Sequence, residues 1–318
     1  MTSTTRFLAA LAIAAALLPA ARAQPADPPS SGATDLNAIV SGKMFSRAAL
    51  AYQDGEFSDY RVFAIGAILV RHPAGMLLFD SGFGQHADEH IKTMPLLMRW
   101  LSPHQKCVPV TTQLAHNGIG LSSLKAVVLT HAHWDHVSGL ADLAGVPVWV
   151  SEAEMAFVAS GHHATALARQ LGTASYVAYT FGSGPYKGFG ASHDVFGDGS
   201  VVLVPAPGHT PGSIIAFITL TNGKRYALVG DLAWQIEGIE RPAQRPWVSR
   251  LVADQDAATT RATLEKVHAL KASDPALIVV PAHDARVWET LPRLPWPARD
   301  TPEACATGLS KVVSHTLN

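Results

Sequence analysis

The stretch Thr130-His131-Ala132-His133-Trp134-Asp135-His136 constrains this chain more than any other feature. It follows the apolar run Ala126-Val127-Val128-Leu129, and it packs three histidines and an aspartate into six residues. An imidazole carries one donor and one acceptor, and burial leaves both hungry, so a plain hydrophobic core has no use for such a cluster. The motif therefore belongs at the end of a strand, at the margin of the core, where something else satisfies the rings. Alternate residues of an extended chain share a face, so His131 and His133 can address one point. The chain must then turn into a helix, expected over 137–143, which swings Asp135 and His136 towards a neighbouring point. A tetrahedral metal site takes about four ligands, so this segment supplies two half-built sites.

The missing ligands should stand at other strand ends. "VVLVPAPGHTPGS" places His209 after an apolar run, in a turn bounded by proline and glycine. "RYALVGDLAW" places Asp231 directly after a second run, and "LIVVPAHDARV" places His283 after a third. Each alone has an ordinary explanation, since an aspartate after a strand is commonly a turn former and a lone histidine a polar surface residue. Taken with the cluster at 131–136, they complete a constellation.

Strands are expected over 60–71, 76–79, 125–130, 146–150, 201–204, 213–220, 225–229 and 276–280. Helices are expected over 151–159, opened by Ser151 and Glu154 as a capping box, and over 256–270. The hairpin at "RHPAGM" implies antiparallel pairing, which suits a mixed α/β sandwich better than a doubly wound parallel sheet.

On these motifs, and on "LLFDSGFG" upstream, the chain resembles the metallo-β-lactamase superfamily from about residue 63 to 287. The resemblance implies an αββα four-layer sandwich with a dinuclear metal site at one edge. By the same resemblance, His131, His133 and His209 match the ligands of the first ion, Asp135, His136 and His283 those of the second, and Asp231 the carboxylate bridging both. The cofactor implied is two divalent metal ions, zinc first, with manganese, cobalt or iron as alternatives. Such ions lower the pKa of bound water to about 7 in single-zinc examples and stabilise charge developing on substrate oxygens.

The expected reaction is hydrolysis of a lactone or related ester by a metal-bridged hydroxide, with Asp135 and Asp231 as catalytic residues. Phosphotriester hydrolysis at the same ions is the alternative, and a non-catalytic metal-binding protein a more distant one. The chain resembles N-acyl-homoserine lactonases in its ligand order and exported organophosphorus hydrolases in its leader. Many lactonases carry a tyrosine three residues after the bridging aspartate; here Trp234 stands there, as a pocket wall or a packed core residue. Met94, Leu97, Met98 and Leu101 follow helical spacing, so Met98 is a candidate substrate contact on a lid, or part of a core-facing or dimer-forming helix.

Residues 1–23 read as a secretory signal peptide, with Arg6, an apolar segment over 7–18 and Ala21-Arg22-Ala23 as cleavage site. Residues 24–35 read as a flexible leader and 36–318 as the hydrolase domain. The expected location is periplasmic or secreted, with no stable membrane insertion after cleavage. A formal net charge of -1 offers no field for nucleic acid, so the expected partner is a small-molecule substrate, and a homodimer is left open. Cys107 and Cys305 are the two cysteines, and their pairing is undecided.

Overall fold

Two thirteen-residue strands open the described chain and pair along almost their full length. In the computed structural model these are β1 (Asp35–Arg47) and β2 (Tyr60–His72), followed by β3 (Gly75–Phe79), β4 (His104–Lys106), β5 (Leu124–Val128) and β6 (Val148–Ser151). The remaining strands are β7 (Tyr176–Tyr179), β8 (His193–Asp194), β9 (Val201–Pro205), β10 (Ile214–Thr219), β11 (Arg225–Gly230) and β12 (Leu277–Pro281). The structure describes residues 34–297 except Ser102 and Ala174, together with all of their side chains but those of Leu97, Met98 and Leu101. The expected signal peptide and residues 24–33 of the leader lie outside the described residues, as do the Met98 side chain and Cys305.

β1 has no clean alternation, because Ser41 and Lys43 are buried among its apolar residues. That is why periodicity alone passes over it. The expected helix over 137–143 is displaced. An α-turn spans Trp134–Val137 and tightens into a 3-10 turn over Ser138–Asp142. Gly139 there lies so close to the 81–84 turn that a Cβ would meet the Ser81 carbonyl oxygen at 2.3 Å.

One sheet runs β4-β1-β2-β3-β5-β6-β7 and the other β12-β11-β10-β9-β8. The two face each other across a core in which Leu36, Ile68, Phe79 and Val128 meet Leu203, Ile214, Ala216 and Leu228. The outer face of the first sheet buries Leu69, Leu78 and Val127 under helical segments carrying Leu114, Val137 and Val158. The outer face of the second buries Ile215, Phe217 and Val279 under Leu264 and Val267 of the helix Ala257–Ser273. This is a helix–sheet–sheet–helix stack, and each fully buried Leu, Ile or Val in it is worth about 1.5–3 kcal/mol.

Strand direction sets where the site falls. β10 is antiparallel to both β9 and β11, and β12 is parallel to β11. The carboxyl ends of β9, β11 and β12 therefore share one edge. Thr130, just past β5, reaches that edge from the other sheet, and its carbonyl accepts a 3.0 Å hydrogen bond from the Ile214 N–H. No described helix is long and apolar enough to cross a membrane. Cys107 is disulfide-bonded.

Candidate metal centre

Four strand ends deliver seven side chains to this edge. His131, His133, Asp135 and His136 follow β5, His209 follows β9, Asp231 directly follows β11, and His283 follows β12. The ligand-capable atoms of His131, His133 and His209 all lie within 4.8 Å of one another, and so do those of Asp135, His136 and His283. Asp231 stands between the groups. Its Oδ2 lies 3.4 Å from His209 Nε2 and 3.9 Å from His131 Nε2, while its Oδ1 lies 3.0 Å from His283 Nε2 and 3.2 Å from His136 Nε2.

The outward ring atoms show which nitrogen carries the proton. His136 Nδ1 faces Asp80 Oδ2 at 2.8 Å, His209 Nδ1 faces Asp254 Oδ1 at 3.0 Å, and His283 Nδ1 faces the Ala64 carbonyl at 3.0 Å. The Thr130 hydroxyl donates to Asp80 Oδ2, which leaves its oxygen to accept from His131 Nδ1 at 3.1 Å. The shortest contact of each Nδ1 is to an acceptor, so each Nδ1 donates and each Nε2 is the atom turned inward, although Arg245 Nη2 also lies 3.3 Å from His209 Nδ1. His131 Nε2 and His209 Nε2 then face each other as two acceptors 3.1 Å apart. His133 Nε2, His136 Nε2 and Asp231 Oδ1 are buried with no hydrogen-bond partner. Buried polar atoms are rarely left so, and inward lone pairs around two centres are a donor set that fits divalent cations.

The electrostatics differ between the groups. Burial, reinforced by neighbouring imidazoles, holds His131 and His133 well below the usual histidine range, so both are neutral. Burial opposes charge on His136 too, but Asp80, Asp231 and Asp135 outweigh it and raise that ring well above the ordinary value, so its Nε2 takes up a proton unless a cation takes that proton's place. Burial likewise works against charge on Asp231, and His283 and His136 overcome it, holding its carboxyl well below the carboxylate range.

Several residues that serve this site carry no assignment from sequence. Asp80 ends "LLFD" in the left-handed region, at φ +58, and also accepts the Thr130 N–H at 2.7 Å. A carboxylate between a strand and a glycine turn was its available signal. Glu154 performs only half of its expected capping box: Ser151 accepts from the Glu154 N–H at 3.1 Å, while the Glu154 carboxylate turns away. It accepts from the Ala132 N–H at 2.6 Å, between two of the histidines, and from the Thr210 hydroxyl at 2.6 Å, beside a third. Burial pushes this carboxyl up to about 7 in spite of these donors. Asp254 and Arg245 gave no local signal at all.

A cavity of about 170 Å³ opens on the site, walled by Met44, Phe63, Met94, Trp234 and Leu251 and floored by His133, Asp135 and His283. Trp234 is both wall and hydrogen-bond donor, its Nε1–H meeting Asp231 Oδ2 at 2.7 Å. The backbone of Met98 lies in the short helix Leu96–Leu101.

The metallo-β-lactamase superfamily model matches residues 61–283. A protein described as a probable metallo-hydrolase, from Mycobacterium tuberculosis, is 28% identical over 252 residues, covering 74% of this chain and 76% of that one. The N-acyl homoserine lactonase AttM of Agrobacterium fabrum is 26% identical over 252 residues, covering 76% of this chain and 89% of that one. A solved N-acyl homoserine lactone hydrolase, with N-hexanoyl-L-homoserine bound at its catalytic metal center, superposes with a TM-score of 0.64 at 15% identity. That superposition covers 82% of this chain and 97% of the other.

Proposed function

We propose that this chain, which belongs to the metallo-β-lactamase superfamily and is a metal-dependent hydrolase, is an exported dinuclear enzyme that opens lactones or closely related esters. The observation that carries the reading is the division of Asp231, one carboxylate oxygen towards each group of histidines. His131, His133 and His209 would hold one ion and Asp135, His136 and His283 the other, with Asp231 shared, and zinc is the ion proposed. Bound there, divalent ions supply a hydroxide at neutral pH and Lewis-acid polarisation of an ester carbonyl.

The chain's own residues do the rest. Asp135, on the cavity floor with Oδ2 3.3 Å from His283 Nε2, is placed to orient the attacking water. Met44, Phe63, Met94 and Leu251 exclude bulk water and suit an acyl chain, which favours an apolar ester over a highly charged substrate. The printed activities of the lactonase relative and of the solved neighbour support the same substrate class. Arg6, the apolar segment over 7–18 and Ala21-Arg22-Ala23 support export to the periplasm or beyond.

The test is proton release by the metal-loaded mature protein on a long-chain N-acyl-homoserine lactone, beside the Asp231→Ala variant. Ring opening by the wild type, reduced about 10³-fold or more in the variant, is expected, since Lewis-acid stabilisation is worth several kcal/mol. No release by the wild type overturns the lactone assignment, and hydrolysis of a phosphotriester in its place would redirect it.

A further inference from the structure

We infer that Arg245 and Asp254, acting with Trp234, are positioning residues that set how tightly the His131–His133–His209 side of the site holds its ion. The inference rests on the metal-centre reading above and deepens it.

Arg245 and Asp254 flank the helix Trp247–Ala253, one before its start and one after its end. Both side chains are buried, and they pair at 3.1 Å. From this pair two arms reach the site. Through the first, Asp254 Oδ1 accepts the His209 Nδ1–H at 3.0 Å, which fixes the tautomer and aims Nε2 inward. Through the second, Arg245 Nη2 donates to the backbone carbonyl of Asp231, and its guanidinium lies over the Trp234 ring at 4.4 Å. Trp234 in turn donates to Asp231 Oδ2, the oxygen that faces His209. One buried cation thus orients two ligand atoms, 3.4 Å apart, that point at the same ion.

Energetics argue that the pair is there for more than packing. Burying an arginine and an aspartate costs desolvation that mutual attraction repays only with good geometry, and an apolar pair of similar volume is often as stable. Here Arg245 Nε is left buried with no acceptor, an arrangement that stability alone would not select. The placement has a second consequence. Leu251, Val252 and Ala253 of the helix between the two charges line the cavity, so the pair also anchors that wall.

The test is cobalt(II) binding to the full-length protein, titrated against a chelator, with visible absorption of the bound ion and melting of the metal-free protein measured in parallel. Asp254→Asn removes the charge and keeps an oxygen for His209; Trp234→Phe removes the N–H and leaves a smaller aromatic ring beneath Arg245. We expect wild type to bind two ions per chain. Each variant should bind one of them about 10–100-fold more weakly and hold the other as before, with altered cobalt absorption. Unchanged affinities for both ions, with only the metal-free melting temperature lowered, overturn the inference and leave the metal centre standing. No binding by wild type overturns the metal centre and this inference with it. Should Asp254→Asn fail to fold, Asp254→Glu decides in its stead by the same readouts. It keeps the charge facing Arg245 and moves the carboxylate away from its place against His209, while Trp234→Phe reports on the second arm.

Discussion

The group formed by His131, His133 and His209 includes no carboxylate, whereas the group formed by Asp135, His136 and His283 includes one and leans on another, Asp80. Burial drives His131 and His133 towards neutrality, and nearby carboxylates hold His136 in the opposite direction. The first group thus depends on aiming neutral lone pairs, and its supports are backbone and loop contacts made by Glu154, Asp254 and Arg245. The second can draw an ion by charge and is steadied by Asp80 and the Ala64 carbonyl. Orientation should matter more on the first side and charge more on the second.

The largest separable effect is expected at Asp80. Asparagine tolerates the left-handed backbone there, so Asp80→Asn removes the charge behind His136 at little conformational cost. Chelator competition should show the second ion held about 10–100-fold more weakly, with a smaller loss at the first through Thr130. If Asp80→Asn and Asp254→Asn weaken both ions equally, the two sides are not distinct.

Glu154→Gln should act on the first side and on stability together. The glutamine amide replaces one carboxyl oxygen and brings hydrogens towards the Ala132 N–H or the Thr210 hydroxyl, both of which donate to Glu154. A loss of about 1–3 kcal/mol in urea unfolding of the metal-free protein is expected, with the first ion weakened and the second unaffected. Full retention of both would show that the carboxylate does not set these two loops.

The smallest effect sharpens the second side. Behind His283, Arg286 binds Asp284 at 2.7 Å and Glu237 at 2.6 Å, and Arg61 reaches Glu237 at 2.9 Å. Burial opposes charge on Glu237, but Arg286 and Arg61 overcome it and hold its carboxyl down at about 2. A depressed carboxylate contributes stability above its unfolded value, near 4.5, and loses it as pH falls towards 2. Glu237→Gln should cost about 1 kcal/mol at neutral pH, and the difference from wild type should vanish between about pH 4.5 and 2. A difference that persists at pH 2 would assign the effect to packing.

Much of the site can be read directly from the residues. His131, His133, Asp135 and His136 are adjacent in the chain, and His209, Asp231 and His283 each follow an apolar run closely enough to mark a strand end. Supports at long range have no such signature. Asp254 lies 45 residues from His209, in a segment whose local sequence pattern marks no element. Glu154 was legible as half of a capping box, because Ser151 stands three residues before it. Burial against the Thr210 loop then diverted its carboxylate, since a buried carboxylate takes the strongest donors within reach.

Sequence by itself determined which side chains at strand ends could hold a metal, their order along the chain and a mixed α/β sandwich, because hydrophobic periodicity and strand-end chemistry are local properties. The αββα layering was implied by the resemblance to the superfamily. Tertiary structure decided which oxygen of Asp231 faces which histidines, that Trp234 donates to that carboxylate, and that a buried Arg245–Asp254 pair stands behind His209. These are contacts between segments far apart in the chain. Their geometry exists only once two sheets have packed and brought the ends of β5, β9, β11 and β12 to one edge.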